Sequence, residues 1–218
     1  MEVQTMSWTE AMATGVGARG VTGGPQVDNV MAYDSPSSAS EWMFEEEHDA
    51  SAMDEKLIAM ALSAEFSKMC AINSDVGASE IRPGESIGRF FSKHAHNMPI
   101  EKYVRRIVRY MSCSKAAYIV AYCYLHRLRV YEPRLVVSDL NAHRLFMTAM
   151  VLAAKYLEDR VYSNMYYARI GGIPSLAEMN GLEAEFLRII HFDLAVDPEE
   201  YRDAESYLAQ VALQVQVH

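Results

Sequence analysis

Cysteine is scarce in this chain, and the placing of the few that occur excludes more than their number does. Cys70, Cys113 and Cys123 are widely spaced, odd in number and never in a C-x-x-C arrangement, which argues against a disulfide framework or a zinc knuckle. Cys113 and Cys123 fall inside apolar helical patterns and read as small buried hydrophobes. Also lacking is an apolar run of the roughly 18 to 20 residues that a bilayer span requires. The first residues mix Glu2 and Glu10 with Gly and Thr, without a basic start leading into an apolar stretch. No cleaved secretory signal or membrane partner is indicated, and a soluble intracellular protein is expected.

A dense basic stripe is missing too. The net charge of −9 is unevenly spread: residues 1 to 55 hold eleven acids against Arg19 alone, and the rest is close to neutral. A near-neutral folded part offers little to a phosphate backbone, so nucleic acid is not an expected partner. The length, 218 residues, suits one domain with a tail.

Signs of catalysis are thin. There is no phosphate loop, nucleophile elbow or dinucleotide fingerprint. Glu158 and Asp159 would suit a carboxylate cluster holding magnesium, but no second acidic cluster lies on another core helix, so a solvated helix end is the simpler reading. His94 and His96, two apart in an expected loop, have no Cys or carboxylate beside them. Neither a catalyst nor a metal or small-molecule cofactor is expected.

What the sequence does contain is helical periodicity. Residues 1 to 50, with a Gly-rich stretch, a Ser/Pro cluster and the acidic run Glu45 to Glu47, read as a disordered tail in which Trp42, Met43 and Phe44 form a candidate docking element. From Ser51 to about Ile72 a helix is expected, with Ile58, Leu62, Phe66 and Met69 on one face. Residues 73 to 97 form a connector that Phe90 and Phe91 anchor. After Pro99, Ile100, Tyr103, Val104, Ile107, Val108 and Met111 mark an amphipathic helix with Lys102, Arg105, Arg106 and Arg109 opposite. Ser114 is a candidate N-cap for a helix from Lys115 to about Arg129, and Ser138 for one reaching Leu157.

That last helix carries no charge from Leu145 to Ala154 and belongs at the centre of a bundle. Residues 160 to 174 read as irregular. Ser175 and Glu178 form a capping box for a helix with Leu176, Met179, Leu182, Phe186, Leu187 and Ile190 inward. Asp197-Pro198 opens a last helix marked by Tyr201, Ala204, Leu208, Val211 and Val215. No segment alternates clearly with period 2, so the fold class is all-α. Lys155, after ten uncharged residues, reads by itself as a cation snorkelling at a helix C-terminal end, where the dipole favours it.

The segment "VLAAKYLED" around Lys155 resembles the end of the third helix of the cyclin box. "AAYIVAYCYLHRL" is similar to its second helix, and "SNMYYARIGGIPSLAEMNGLEAEFL" to the U- or P-type cyclins, relatives of the fungal phosphate-pathway cyclin. With "MPIEKYVRRIVRYMSCS", the resemblance covers about residues 98 to 195. It implies a five-helix cyclin box over 98 to 195, an extra N-terminal helix within 51 to 97 and a C-terminal helix over 196 to 218, expected to pack on the first. It further implies a non-catalytic regulatory subunit that binds and activates a cyclin-dependent serine/threonine kinase. In cyclins the lysine ending the third helix and a glutamate on the fifth reach the kinase backbone beside its αC helix. The corresponding residues here are Lys155 and Glu183, for which two separate exposed charges or a mutual salt bridge are the simpler alternatives.

Two departures accompany the resemblance. Many cyclins have Asp before the Arg of the second helix, paired with a first-helix arginine, whereas His126 stands here before Arg127. The ion pair to Arg105 or Arg106 is then in question, and a neutral His126 accepting a hydrogen bond is one substitute. The first helix also lacks the Met-Arg-x-x-Leu and Trp pattern of substrate docking. Competing classes are a cyclin-fold scaffold that never touches a kinase and, further off, a helical enzyme.

Overall fold

The computed structural model describes residues 50–73 and 84–216. The tail and its Trp42–Phe44 element lie outside them. The described residues form seven α-helices and one 3-10 turn, with no strand among them. These are α1 (Ala50–Ile72), the 3-10 turn (Ser86–Phe90), α2 (Ile100–Met111), α3 (Lys115–Tyr131), α4 (Ala142–Leu157), α5 (Asn164–Gly171), α6 (Leu176–Ile189) and α7 (Pro198–Gln216).

The centre is α4, as its uncharged stretch requires. Leu145, Phe146, Met147, Thr148, Ala149, Met150 and Val151 are all fully buried, and the lone hydroxyl, Thr148 Oγ1, donates back to the Arg144 carbonyl at 2.7 Å. A helix apolar on every side is stable only when other helices cover it. α3, α6, α2 and α5 do so. Phe146 meets Phe66 of α1 edge-on at 5.3 Å and Tyr103 of α2 at 6.5 Å. Phe90, fully buried, anchors the connector by an edge contact with Phe186 of α6 at 6.1 Å.

Three helix starts differ from the sequence expectation. Residues 164–171, read as irregular, are helical. Ser163 caps them by accepting from the Tyr166 N–H at 3.3 Å, and Gly172, at φ +65°, ends them in the left-handed conformation that costs other residues about 1–2 kcal/mol. α4 begins at Ala142, not directly after Ser138. A turn precedes it in which Asn141 Oδ1 accepts from the Ser138 N–H at 2.8 Å, so the side chain does the capping in the reverse direction. At α6, Ser175 Oγ accepts from the Glu178 N–H at 3.1 Å, but the Glu178 carboxylate turns away to Arg144. The capping box is half made.

The cap at α7 forms as expected, with Asp197 Oδ1 accepting from the N–H groups of Glu199 and Glu200 at 2.9 Å each. α7 packs mainly on α1 and α3. The helix it meets is thus the one ahead of the box, and Val215, expected inward, is exposed. All three cysteines are buried, and burial pushes the Cys70 and Cys123 thiols up to about 12, so they stay protonated.

Among the described residues neither Arg105 nor Arg106 pairs with an aspartate in place of the missing second-helix one. Arg106 Nε donates instead to the Ile170 carbonyl at 2.9 Å. Burial, reinforced by Arg129 and Arg127, lowers His126 to about 4. His143 is lowered to about 4 as well, first by burial. It lies stacked on His96 at 4.3 Å, with its Nε2 2.8 Å from the Met98 carbonyl.

Both imidazoles are therefore held neutral in a fold whose unfolded chain protonates them near 6.5. The unfolded state binds more protons between pH 6.5 and 4, so stability rises with pH across that window. Their contribution is full above 6.5 and is lost as pH falls toward 4, on the order of a few kcal/mol for the two together. Urea midpoints should drop from pH 7 to pH 5, and a His143→Gln variant should flatten that drop. An unchanged slope in the variant would contradict the assignment.

Candidate functional site

At its C-terminal end α4 passes from buried to exposed within one turn: Ala154 is buried, Lys155 half-buried and Tyr156 and Leu157 exposed. The lysine falls where the helix dipole favours a cation. α6 runs alongside, and Glu183 on it faces Lys155. The Lys155 ammonium donates to Glu183 Oε1 at 2.6 Å, with the two side chains 27 % and 15 % exposed. Of the two alternatives that residue reading left open, the mutual salt bridge is the one formed.

The pair is extended by a residue the sequence reading missed. Asn164, first residue of α5, donates to Glu183 Oε2 at 2.6 Å and to Asn180 Oδ1 at 2.7 Å. A string Lys155–Glu183–Asn164–Asn180 thus ties α4, α5 and α6 together on one face. The signal was the Ser-Asn start of α5, hidden because residues 160–174 were read as irregular.

Such a pair, partly exposed to water, adds little to stability, about 0–1 kcal/mol. Its chemical capacity is different. An ammonium and a carboxylate, each with hydrogen-bonding positions left, can be shared with the backbone of another chain, and charge-assisted bonds of this kind fix register.

The two residues that follow Lys155, Tyr156 and Leu157, line an apolar groove together with Ala116 and Val120 of α3, Val196 of the linker before α7 and Tyr201 of α7. Tyr156 is 49 % and Leu157 40 % exposed. Met165, one residue after Asn164, is 55 % exposed. Large exposed apolar side chains side by side mark an interaction surface more often than a solvated one.

The wall of the groove is held by Arg127. Its guanidinium donates to the Asp193 and Ala195 carbonyls at 2.6 Å each and pairs with Glu200 at 2.5 Å. Tyr124 Oη donates to the Leu194 carbonyl at 2.9 Å. The linker between α6 and α7 is therefore clamped to α3 by side chains one turn apart. That linker follows a turn in which His191 and Phe192 both take positive φ, 55° and 58°, leaving Phe192 67 % exposed. Glu158, read as solvated, accepts from the Ser114 N–H at 2.8 Å and so closes the start of α3 with the end of α4.

The two histidines considered for a metal behave differently. His96 stacks on His143 and its Nδ1 accepts from the Met98 N–H at 3.1 Å. Among the described residues no group of three or more His, Cys, Asp or Glu has the arrangement of a metal site, and no helix is long and apolar enough to cross a membrane.

A family model for cyclins matches residues 45–194, which runs from ahead of α1 through α6 to the linker that walls the groove. Cyclin-U4-1 of Arabidopsis thaliana is 37% identical over 153 residues, covering 70% of this chain and 74% of the relative. Cyclin-P4-1 of Oryza sativa subsp. japonica is 38% identical over 145 residues, covering 65% and 68%. Cyclin-U1-1 of Arabidopsis thaliana is 38% identical over 135 residues, covering 62% of each chain. With the all-α bundle built around α4, these matches place the chain in the cyclin family, as a non-catalytic regulatory subunit of U/P type.

Proposed function

We propose that this cyclin binds a cyclin-dependent serine/threonine kinase through Lys155, Glu183 and the adjoining groove, and that docking activates the kinase. The supporting observation is the partly exposed Lys155–Glu183 pair, with the two residues after Lys155, Tyr156 and Leu157, lining an open apolar groove. An amphipathic helix lays its apolar face into such a groove, while the flanking charges take its backbone polar groups and set its register. In this reading the box over 98 to 195 supplies Lys155, Glu183 and most of the groove, and Val196 and Tyr201 complete its lining.

Activation requires no reacting group from the cyclin. A kinase turns over when the glutamate of its αC helix pairs with the strand lysine that positions the ATP phosphates. A partner that binds only the inward position of αC shifts the population toward that state by its differential affinity for the two. The test is direct: mix the purified chain with individual cyclin-dependent kinases and follow phosphoryl transfer to a peptide. A large, saturable rise in rate with at least one kinase is expected. Tight binding without a change in rate would favour a scaffold role and remove the activation step.

A further inference from the structure

A second groove, between α1 and α2, lies apart from the face just described. Its floor is Ala59, Met60 and Val108, and its rim carries Lys56, Arg105 and Arg109. All three cations are exposed. Among the residues whose side chains are described, 56–73 and 84–216, no carboxylate stands at ion-pair distance from any of them. The acid acting on Arg105 is Glu101, one turn before it, whose carboxylate is turned to Ser67 Oγ. Arg109 lies over the Tyr110 ring at 5.8 Å. Three like charges around an apolar trough repel one another, and the ligand that relieves this is a short segment combining large apolar side chains with acids.

The chain itself contains such a segment. Glu41-Trp42-Met43-Phe44-Glu45-Glu46-Glu47 puts four acids and no base around three large apolar residues. The asymmetry of the whole chain points the same way, since the acidity is concentrated in residues 1 to 55 while the rim of the groove is basic. Reach is sufficient: seven residues, hence eight steps along the chain, separate Trp42 from Ala50, about 27 Å when extended, against about 15 Å along α1 from Ala50 to Met60. Tethering so close places the segment at an effective concentration on the order of millimolar, so that even a weak contact is largely closed.

We propose that Trp42, Met43 and Phe44 seat in the α1/α2 groove of the same chain, with Glu45, Glu46 and Glu47 meeting Lys56, Arg105 and Arg109. The occupied groove is then withheld from other acidic peptides. This contact does not depend on the Lys155–Glu183 reading, because it uses a different face.

The chain has two tryptophans, Trp8 and Trp42, so full-length Trp8→Phe carries Trp42 as its single reporter. Its emission should be blue-shifted and acrylamide quenching several-fold weaker than for a free tryptophan. Both effects should be lost in Trp8→Phe with Arg105→Glu and Arg109→Glu. Adding Glu45→Lys, Glu46→Lys and Glu47→Lys to that variant should restore them. Raising salt to about 1 M, where the screening length falls to about 3 Å, should weaken the shielding of Trp8→Phe itself and decides the matter if the arginine variant misfolds by circular dichroism. Trp42 fully open to quencher in Trp8→Phe, or shielded to the same degree whatever the charges and salt, would overturn the proposal. Shielding that grows with protein concentration would overturn it too, by assigning the groove to a second copy.

Discussion

Exchanging the two charges of the candidate site, Lys155→Glu together with Glu183→Lys, should abolish kinase activation while leaving the fold intact. The wild-type pair is a 2.6 Å contact between half-buried groups. The exchanged pair can form a similar contact, so the stability of the free chain should change by no more than about 1 kcal/mol. A docked partner, by contrast, meets an acid where it met a cation. Mispairing of desolvated charges across an interface costs about 2–5 kcal/mol per site, which corresponds to losses from about 30-fold upward in affinity, at 1.4 kcal/mol for each factor of ten. The single variants would each leave one half-buried charge uncompensated and so confound binding with folding. The exchange separates them: equal thermal stability with lost activation assigns the pair to docking, whereas equal stability with full activation assigns it to the fold alone.

Phe146→Ala should produce the largest loss of stability among single substitutions considered. The ring is fully buried on the central helix and meets Phe66 at 5.3 Å and Tyr103 at 6.5 Å, joining α4 to α1 and α2. Removing such a ring costs about 3–5 kcal/mol, transfer plus cavity, against a total domain stability of about 5–15 kcal/mol. A urea titration should show a midpoint shifted by a large fraction of the whole or no folded baseline at all. Phe192→Ala is the control, since that ring is 67 % exposed. It should leave the midpoint almost unchanged, and a comparable loss in both variants would mean that the packing described for α4 is not what holds the bundle.

Much of the fold was legible because its signals are local. The inward face of α2, the chargeless length of α4 and the Asp197-Pro198 start of α7 each depend on residues within one helix, and each appears as expected. α5 escaped because eight residues are too few to show a period, and its Tyr166 stacks at 4.3 Å on Tyr162, which lies ahead of the helix. The half-made capping box at α6 escaped for another reason. Whether Glu178 turns back to its own helix or across to Arg144 depends on what the tertiary fold brings near, which spacing does not encode.

The site shows the same division. Lys155 could be singled out as a charge ending an apolar helix, and resemblance named Glu183. The bridging amide of Asn164 and the clamp of Arg127 on the α6–α7 linker are contacts between residues 19 and up to 73 positions apart. Arg127 entered the sequence reading only as the arginine that follows His126, and its partners are mostly backbone carbonyls, which carry no sequence identity.

Hydrogen–deuterium exchange on the 218-residue chain, alone and with a cyclin-dependent kinase, probes the proposed docking face most directly. Binding through this surface predicts slowed exchange at the end of α4, through α5 and along the 193–197 linker, with the exchange of α2 unchanged. Protection confined to α1 and α2, with the amides around Lys155 and Glu183 exchanging as in the free chain, would contradict it.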